Sequence, residues 1–220
     1  MGGDAETAPD STAHGLPVRR RHRRYPGPSD GAEGNERLTA LTGAVLLIGF
    51  AVEGITIPAL GRLLTLHFFL GVLLIGPVAL KICSTGYRFA RYYTGDEPYV
   101  RKGAPAPLMR ALGPLVIITS LAVLGTGVAL AVTGPHEGPW LQFHKASFVL
   151  WFGVMTIHVL AYAGRLPRIL LGAPGSGVRA AVAGGTTRWL LVGASLAGGL
   201  LLALLTIHLA APWDARLAGH

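Results

Sequence analysis

The sequence predicts an all-α integral membrane protein with five transmembrane helices, of which four form an up-down bundle and the fifth lies beside it. Apolar residues make up 51% of the 220 residues and charged residues only 14%, whereas soluble domains carry roughly a quarter charged residues. Five stretches each hold the about 20 mostly apolar residues that a bilayer-spanning helix needs. The single cysteine, Cys83, excludes an intramolecular disulfide framework and a cysteine-based metal site.

Short connections on one side determine how the predicted spans pack. Only Gly61 and Arg62 separate the first span from the second, and only residues 134–138 separate the third from the fourth. Because short links force neighbouring helices to run antiparallel, the first four spans are predicted to form the bundle. The predicted spans are residues 38–60, 63–83, 108–133, 140–162 and 189–212.

Residues 1–36 differ from the rest of the chain, because they are polar, charged and rich in Pro and Gly. Such a segment cannot bury enough apolar surface to fold, so it is predicted to be a disordered cytoplasmic tail. Residues 37–213 then form the transmembrane helical domain. The basic run at residues 19–24 is not followed directly by an apolar segment, which argues against a cleavable signal peptide or a twin-arginine export signal.

The basic residues of the chain are unevenly divided between the two sides of the predicted bundle. The formal net charge is +8, from 19 Lys and Arg against 11 Asp and Glu. Sixteen of the 19 lie on the side of the N-terminus, and only Arg62, Lys145 and Arg216 lie on the other. Because cytoplasmic loops carry the Lys and Arg excess, the N-terminus is predicted to be cytoplasmic and the C-terminus outside. The charge therefore indicates topology and a lipid partner, and not a nucleic acid.

Four of the eight histidines fall within the predicted spans, namely His67, His144, His158 and His208. Ionisable groups inside a bilayer are rare and are functional candidates by default. A neutral imidazole is the cheapest of these groups to bury, and it is also a ligand for metals and haem. A histidine inside a span can instead serve as a hydrogen-bond donor between helices, and that alternative stays open for each of the four.

Two of these histidines are predicted to lie at the same depth. The second and fourth spans both begin at the outer surface, so His67 and His144 each lie about one turn below it. Two level imidazoles on different helices could bind one haem iron from opposite faces, the arrangement found in b-type cytochromes. His208, near the outer end of the fifth span, is a spare candidate for the same site.

His158 raises the question of a second haem. It follows His144 by fourteen residues, which places the two about 40° apart around the helix and about 21 Å apart along it. This spacing would serve two haems stacked across the membrane. The residue fourteen positions after His67 is Lys81, however, and spans one and three contain no histidine. One outer haem b is therefore predicted, and His158 is the less certain ligand.

Several other residues have two interpretations each. The glycines within the spans would allow close helix packing, or would leave room for a flat cofactor. Glu53 would cost about 2–3 kcal/mol if it faced lipid at the helix centre, so it is expected to face the bundle. There it would handle protons, contribute to a quinone site or pair with Arg62. Lys145 and Arg62 would pair with haem propionates or extend to lipid headgroups.

The segment Leu66-His67-Phe68-Phe69-Leu70-Gly71, followed by His144 and His158 on the fourth span, resembles the membrane cytochrome b subunits of bacterial formate dehydrogenases and nickel-iron hydrogenases. The likeness covers roughly residues 38–165. It implies two haems held by four helices, with His67 and His144 as the outer pair and His158 as an inner ligand. The inner partner lies on the first helix in that family, where this chain has no histidine. Residues 84–95 also look like a membrane family that recurs in actinobacteria.

These observations predict an electron-carrying b-type cytochrome of the bacterial plasma membrane. The chain has no GxGxxG fingerprint and no P-loop, so it is expected to be an electron-transfer subunit and not a complete oxidoreductase. Its expected partners are a quinone or an oxidoreductase subunit. The alternative is a haem-free membrane protein, such as a small transporter, a scaffold or the anchor of a partner complex.

Overall fold

The computed structural model describes residue 2 and residues 30–104, 107–136, 138–163 and 184–218. Within those residues every regular element is helical, so the prediction of an all-α chain is confirmed. The α-helices are α1 (Asp30–Thr56), α2 (Leu60–Tyr93), α3 (Glu97–Arg101), α4 (Pro107–Thr133), α5 (Trp140–Ala163), α6 (Gly185–Thr206) and α7 (Ala211–Ala218). Short 3-10 helices, Ile57–Ala59 and Ile207–Ala210, join α1 to α2 and α6 to α7.

Four continuous helical stretches of the described chain are long and apolar enough to cross a membrane. The longest of them, Gly31–Tyr93, contains both α1 and α2, which are joined through the 3-10 helix. Pro58 lies in the first turn of that 3-10 helix. Proline has no N–H to donate to the preceding turn, so the α-helical bonding of α1 ends there.

Helices α1 and α2 pack against each other in antiparallel directions. Asn35 at the start of α1 donates to the carbonyl of Ser84 near the end of α2, at 3.0 Å. At the opposite end, Glu53 of α1 meets His67 of α2. Between these polar contacts, the buried core consists of Leu46, Leu74 and Val78, with Phe50, Leu73, Ile82 and Leu124 packed against it.

Glycines bring α2 and α6 into close contact, again in antiparallel directions. A Cβ on Gly76 would lie 2.0 Å from the carbonyl oxygen of Ser195, and a Cβ on Gly199 would lie 2.0 Å from that of Leu73. Backbones can approach this closely only where no side chain intervenes, which is how membrane helices commonly associate. At these two positions the glycines serve helix packing.

Helices α4 and α5 form a third antiparallel pair. Trp151 of α5 is buried, and its indole N–H donates to the Ser120 hydroxyl of α4 at 3.0 Å. Gly134 ends α4 with a φ of +69°, and its N–H donates to the carbonyl of Leu130 at 3.0 Å. This left-handed C-terminal residue is a common way to end a helix, and glycine adopts it at no steric cost.

The first helix begins at Asp30, inside the stretch that the sequence predicts to be tail. Its first turns pack against the connection between α2 and α4, because the Tyr99 hydroxyl donates to the Gly31 carbonyl and Glu36 pairs with Lys102. Ala32 is buried there, with 4% of its surface exposed. The remainder of the predicted tail, the basic run included, lies outside the described residues, as do the loop cations Arg165, Arg168 and Arg179.

The fifth predicted span lies in one continuous helical stretch, Gly185–Leu217, whose α-helix is interrupted before residue 212. Helix α6 stops at Thr206, and the chain turns through the 3-10 helix into the short helix α7. Three polar contacts hold α7: the Trp213 indole donates to the Leu130 carbonyl at 3.1 Å, Asp214 accepts from the Thr65 hydroxyl, and Arg216 donates to the Pro135 carbonyl. Helix α7 therefore lies across the ends of α2 and α4 that are close to His67 and His144.

Candidate functional site

The fold brings His67 of α2 and His144 of α5 together. Their ring centres lie 6.5 Å apart, and the two ring planes are inclined by 78°. His67 lies close to the start of α2 at Leu60, and His144 lies close to the start of α5 at Trp140. Each imidazole is therefore within about two helical turns of a short connection. The two histidines that the sequence predicts to be level are therefore neighbours in space.

The His67 ring is held by two residues at the end of α1. Its Nδ1 lies 2.9 Å from Glu53 Oε1 and 2.9 Å from Thr56 Oγ1. The Thr56 hydroxyl donates its own proton to the Glu53 carbonyl at 2.6 Å, which leaves its oxygen as an acceptor. When Glu53 is ionised, both neighbours accept, so Nδ1 of His67 carries the proton.

The His144 ring is held by α4. Its Nδ1 lies 3.1 Å from the Val123 carbonyl oxygen and 3.1 Å from Thr126 Oγ1. The Thr126 hydroxyl donates to the Ala122 carbonyl at 2.7 Å, so it too is an acceptor towards the imidazole. A carbonyl oxygen can only accept, and Nδ1 of His144 therefore carries the proton.

Both rings are consequently fixed in the tautomer that leaves the lone pair on Nε2. Among the described residues, no hydrogen bond is made by Nε2 of His67 or by Nε2 of His144. A histidine that ligates a metal almost always donates its other ring N–H to a carboxylate, a backbone carbonyl or water. His67 has the carboxylate partner and His144 has the carbonyl partner, and both nitrogens that remain are available as ligands.

Glu53 faces the bundle, and its contact within the described residues is with His67 and not with Arg62. The carboxylate is 13% exposed, and its second oxygen, Oε2, is buried without a hydrogen-bond partner there. Arg62 is exposed. Of the possibilities that the sequence leaves open for Glu53, the geometry favours a role beside the histidine pair.

Small residues leave space around the two imidazoles. A Cβ on Gly127 would lie 3.3 Å from Cε1 of His144, closer than an ordinary contact, and a Cβ on Gly71 would lie 3.5 Å from Glu53 Oε1. Gly127 thus makes room for the His144 ring on the face of α4. These glycines differ from Gly76 and Gly199, whose neighbours are backbone atoms of another helix.

His158 lies on the C-terminal half of α5 and is separate from the pair formed by His67 and His144. Its ring contacts Tyr162, with ring centres 4.9 Å apart, and its buried Nδ1 has no hydrogen-bond partner in the part of the chain that the structure describes. Lys81, the residue fourteen positions after His67, donates to the Thr39 carbonyl at 2.6 Å. No second histidine contacts His158 within the described segments.

The other candidates lie at the rim of the bundle. His208 is exposed on the 3-10 helix after α6, and none of the described contacts joins it to His67 or His144. Lys145 is exposed near the outer end of α5. Among the aromatic residues of α5, Trp151 packs on Phe50, with ring centres 4.8 Å apart, while Phe143 and Phe152 are exposed.

The sequence pattern does not predict Thr56, Val123 and Thr126 as partners of the histidines. A signal for one pairing was available, because Glu53 and His67 each lie seven residues from Leu60, where α2 begins. An antiparallel hairpin that turns there places the two at the same height. Thr126 and His144 are likewise symmetric about Pro135, nine residues to each side.

No cluster of three or more His, Cys, Asp or Glu side chains that could hold a metal ion occurs among the described residues. The site offers two nitrogen ligands and an adjacent carboxylate, which is already bonded to one of the imidazoles. Comparison with protein families, with curated proteins and with solved structures finds no match for the chain.

Proposed function

We propose that the chain is an integral membrane cytochrome b, which carries electrons through one haem held by His67 and His144 near the outer face of a bacterial plasma membrane. The observation that supports the proposal most strongly is the matched state of the two imidazoles. Both donate from Nδ1 to the neighbouring helix, and both leave Nε2 free at a ring separation of 6.5 Å.

This separation agrees with two ligands on one metal ion. An imidazole nitrogen binds a first-row metal at about 2.0–2.1 Å, so two rings on opposite sides of an ion have centres about 6.4 Å apart. The ring centres of His67 and His144 lie 6.5 Å apart. Haem iron needs only two protein ligands, since the porphyrin supplies the other four nitrogens. The two imidazoles therefore fit a haem better than they fit a bare metal ion.

The chain's own residues would hold and tune the group. Haem supplies a one-electron redox centre, and the protein orients its ligands and excludes water. Glu53 and Thr56 fix the His67 ring, and Val123 and Thr126 fix the His144 ring. Exposed Arg62 and Lys145 are the nearest basic residues along the chain and would pair with propionates at the rim.

The proposed arrangement has five spans, because α1 and α2 run antiparallel and each exceeds the length of one crossing, with 27 and 34 residues. The first four would form the up-down bundle, and α6 would pack on α2. The Lys and Arg excess would place the N-terminus in the cytoplasm and α7 outside. Electrons would come from a quinol, which is oxidised to quinone, or from a partner subunit on the cytoplasmic side, and would leave at the outer face.

The proposal is tested by purifying the protein from haem-replete cells and comparing alanine variants of three histidines. We expect His67→Ala and His144→Ala each to lose the Soret band, because a single remaining imidazole holds the iron from one side only. His208→Ala serves as the matched control, since His208 is exposed and outside the pair. It should keep the full haem content per mole of protein.

The outcomes are distinct for the competing interpretations. A colourless wild-type preparation would contradict the cytochrome and leave a haem-free membrane protein. Loss of haem in His208→Ala alone would move the ligand to the end of α6. Haem lost from His158→Ala together with a second redox transition in the wild type would add an inner site.

A further inference from the structure

We propose that Glu53 is the positioning residue for His67, and that its carboxylate gives this one iron ligand an anionic character that His144 does not have. The inference rests on the proposed function, because it concerns the same haem site. The sequence leaves the function of Glu53 open, and we expect His67 and His144 to be unequal as ligands to a haem that they would hold.

The inequality follows from the partners of the two Nδ1 atoms. His67 faces a carboxylate oxygen at 2.9 Å, whereas His144 faces a backbone carbonyl and a hydroxyl, both at 3.1 Å. Hydrogen bonds to an ionised acceptor are shorter and roughly twice as strong as those between neutral groups. A carboxylate behind an imidazole raises its basicity as a ligand, which a carbonyl does to a smaller extent.

Glu53 makes its contact with His67, and no other ion pair of Glu53 occurs among the described residues. Its ion-pair partner there is the imidazole itself, and its Oε2 atom is buried without a hydrogen bond within the described residues. Thr56 adds a second acceptor at 2.9 Å from the same Nδ1, so the ring is held in one orientation. Ionisable groups at this depth are costly and are kept for function.

A more basic ligand stabilises the oxidised iron more than the reduced iron, so the carboxylate should lower the midpoint potential. Glu53→Gln keeps the shape and an acceptor oxygen but removes the charge. We expect Glu53→Gln to lower the equilibrium preference for oxidised over reduced iron about tenfold. This change corresponds to a positive shift of the midpoint potential of about 59 mV for one electron. The measurement is a spectroscopic redox titration of the purified, haem-loaded protein in detergent.

Glu97→Gln is the matched control, because it removes the same charge from the solvent-exposed helix α3, where Glu97 is 82% exposed. Its potential should equal that of the wild type. A potential in Glu53→Gln that equals the control's would overturn the proposal while the cytochrome itself stands. A colourless wild type would overturn the proposed function, and this inference with it.

Glu53→Asp decides the case in which Glu53→Gln loses its haem. Glu53→Asp keeps the charge on a side chain that is one methylene shorter. If this variant binds haem, and if its midpoint potential lies below that of a Glu53→Ala protein reconstituted with haem, the proposal is supported. If Glu53→Asp is also without haem, the charge on its own does not restore the site, and the proposal is wrong.

Discussion

At the residue scale, hydrogen-bond partners separate the four membrane histidines into groups. His67 and His144 each have an acceptor at Nδ1 and a free Nε2. His158 has a buried Nδ1 without a partner among the described residues, and His208 is exposed. Among these four, the first two combine a fixed tautomer with a neighbouring imidazole, so they are the two that we propose as iron ligands.

Trp151 gives a prediction at the same scale, because it joins α5 to α4 and to α1. Its indole donates to Ser120 and its ring packs on Phe50. Trp151→Phe leaves the buried Ser120 hydroxyl without its donor, a loss of about 1–3 kcal/mol. The free energy of unfolding, measured with denaturant in detergent micelles, should fall by that amount.

Trp140→Phe is the control for that measurement. Trp140 lies at the first residue of α5 and is 41% exposed. Surface substitutions of this kind usually change stability by no more than about 0.5 kcal/mol. Equal losses in the two variants would show that the indole of Trp151 contributes only apolar area and not a hydrogen bond.

The sequence predicts the position of each histidine along its helix better than it predicts the residues that each histidine contacts. Height follows from where a span begins, and the beginnings at Leu60 and Trp140 are close to those predicted at 63 and 140. The partners depend on how each helix is rotated about its axis, which hydropathy does not determine. Glu53 was therefore expected to face the bundle, but its pairing with His67 emerged only from the hairpin geometry.

At the element scale, glycine position decides how closely two helices approach. Gly199 faces the backbone of α2, where a Cβ would lie 2.0 Å from the Leu73 carbonyl oxygen. Its neighbour Gly198 has nothing within 4 Å of an added Cβ. The two adjacent residues therefore differ only in which side of α6 they occupy.

We expect Gly199→Ala to destabilise the contact between α2 and α6, since the added methyl forces the helices apart. Overpacking of this kind costs about 1–3 kcal/mol. The thermal unfolding temperature in detergent should fall for Gly199→Ala and stay level or rise slightly for Gly198→Ala, because alanine favours a helix more than glycine does. A fall of equal size in both variants would contradict the close contact.

Helix ends are where the sequence prediction and the structure differ most. Helix α1 begins at Asp30 because its first turns contact α3, and α6 ends at Thr206 because α7 turns onto Leu130 and Thr65. These contacts join residues distant in sequence, so no local pattern reveals them. The bounds of α4 and α5 agree with prediction within one residue, and the short connection between them sets the end of α4 and the start of α5.

At the scale of the whole molecule, the charge distribution leads to a topology prediction. Because Lys and Arg concentrate on the side of the N-terminus, the C-terminus is expected outside the cell. Alkaline phosphatase fused after residue 220 should be active, and green fluorescent protein fused there should be dark. Fusions after residue 104, in the connection that is predicted to be cytoplasmic, are the control and should give the opposite pair of results. Identical results at both positions would contradict the proposed five spans.

The most direct test of the central claim is the haem content of the purified wild-type protein, measured as moles of haem per mole of chain together with its reduced-minus-oxidised spectrum. We expect about one mole of haem per mole of chain, a Soret band, and α and β bands that respond to reduction, because a single histidine pair is placed to hold the iron. A colourless protein from haem-replete cells would contradict it.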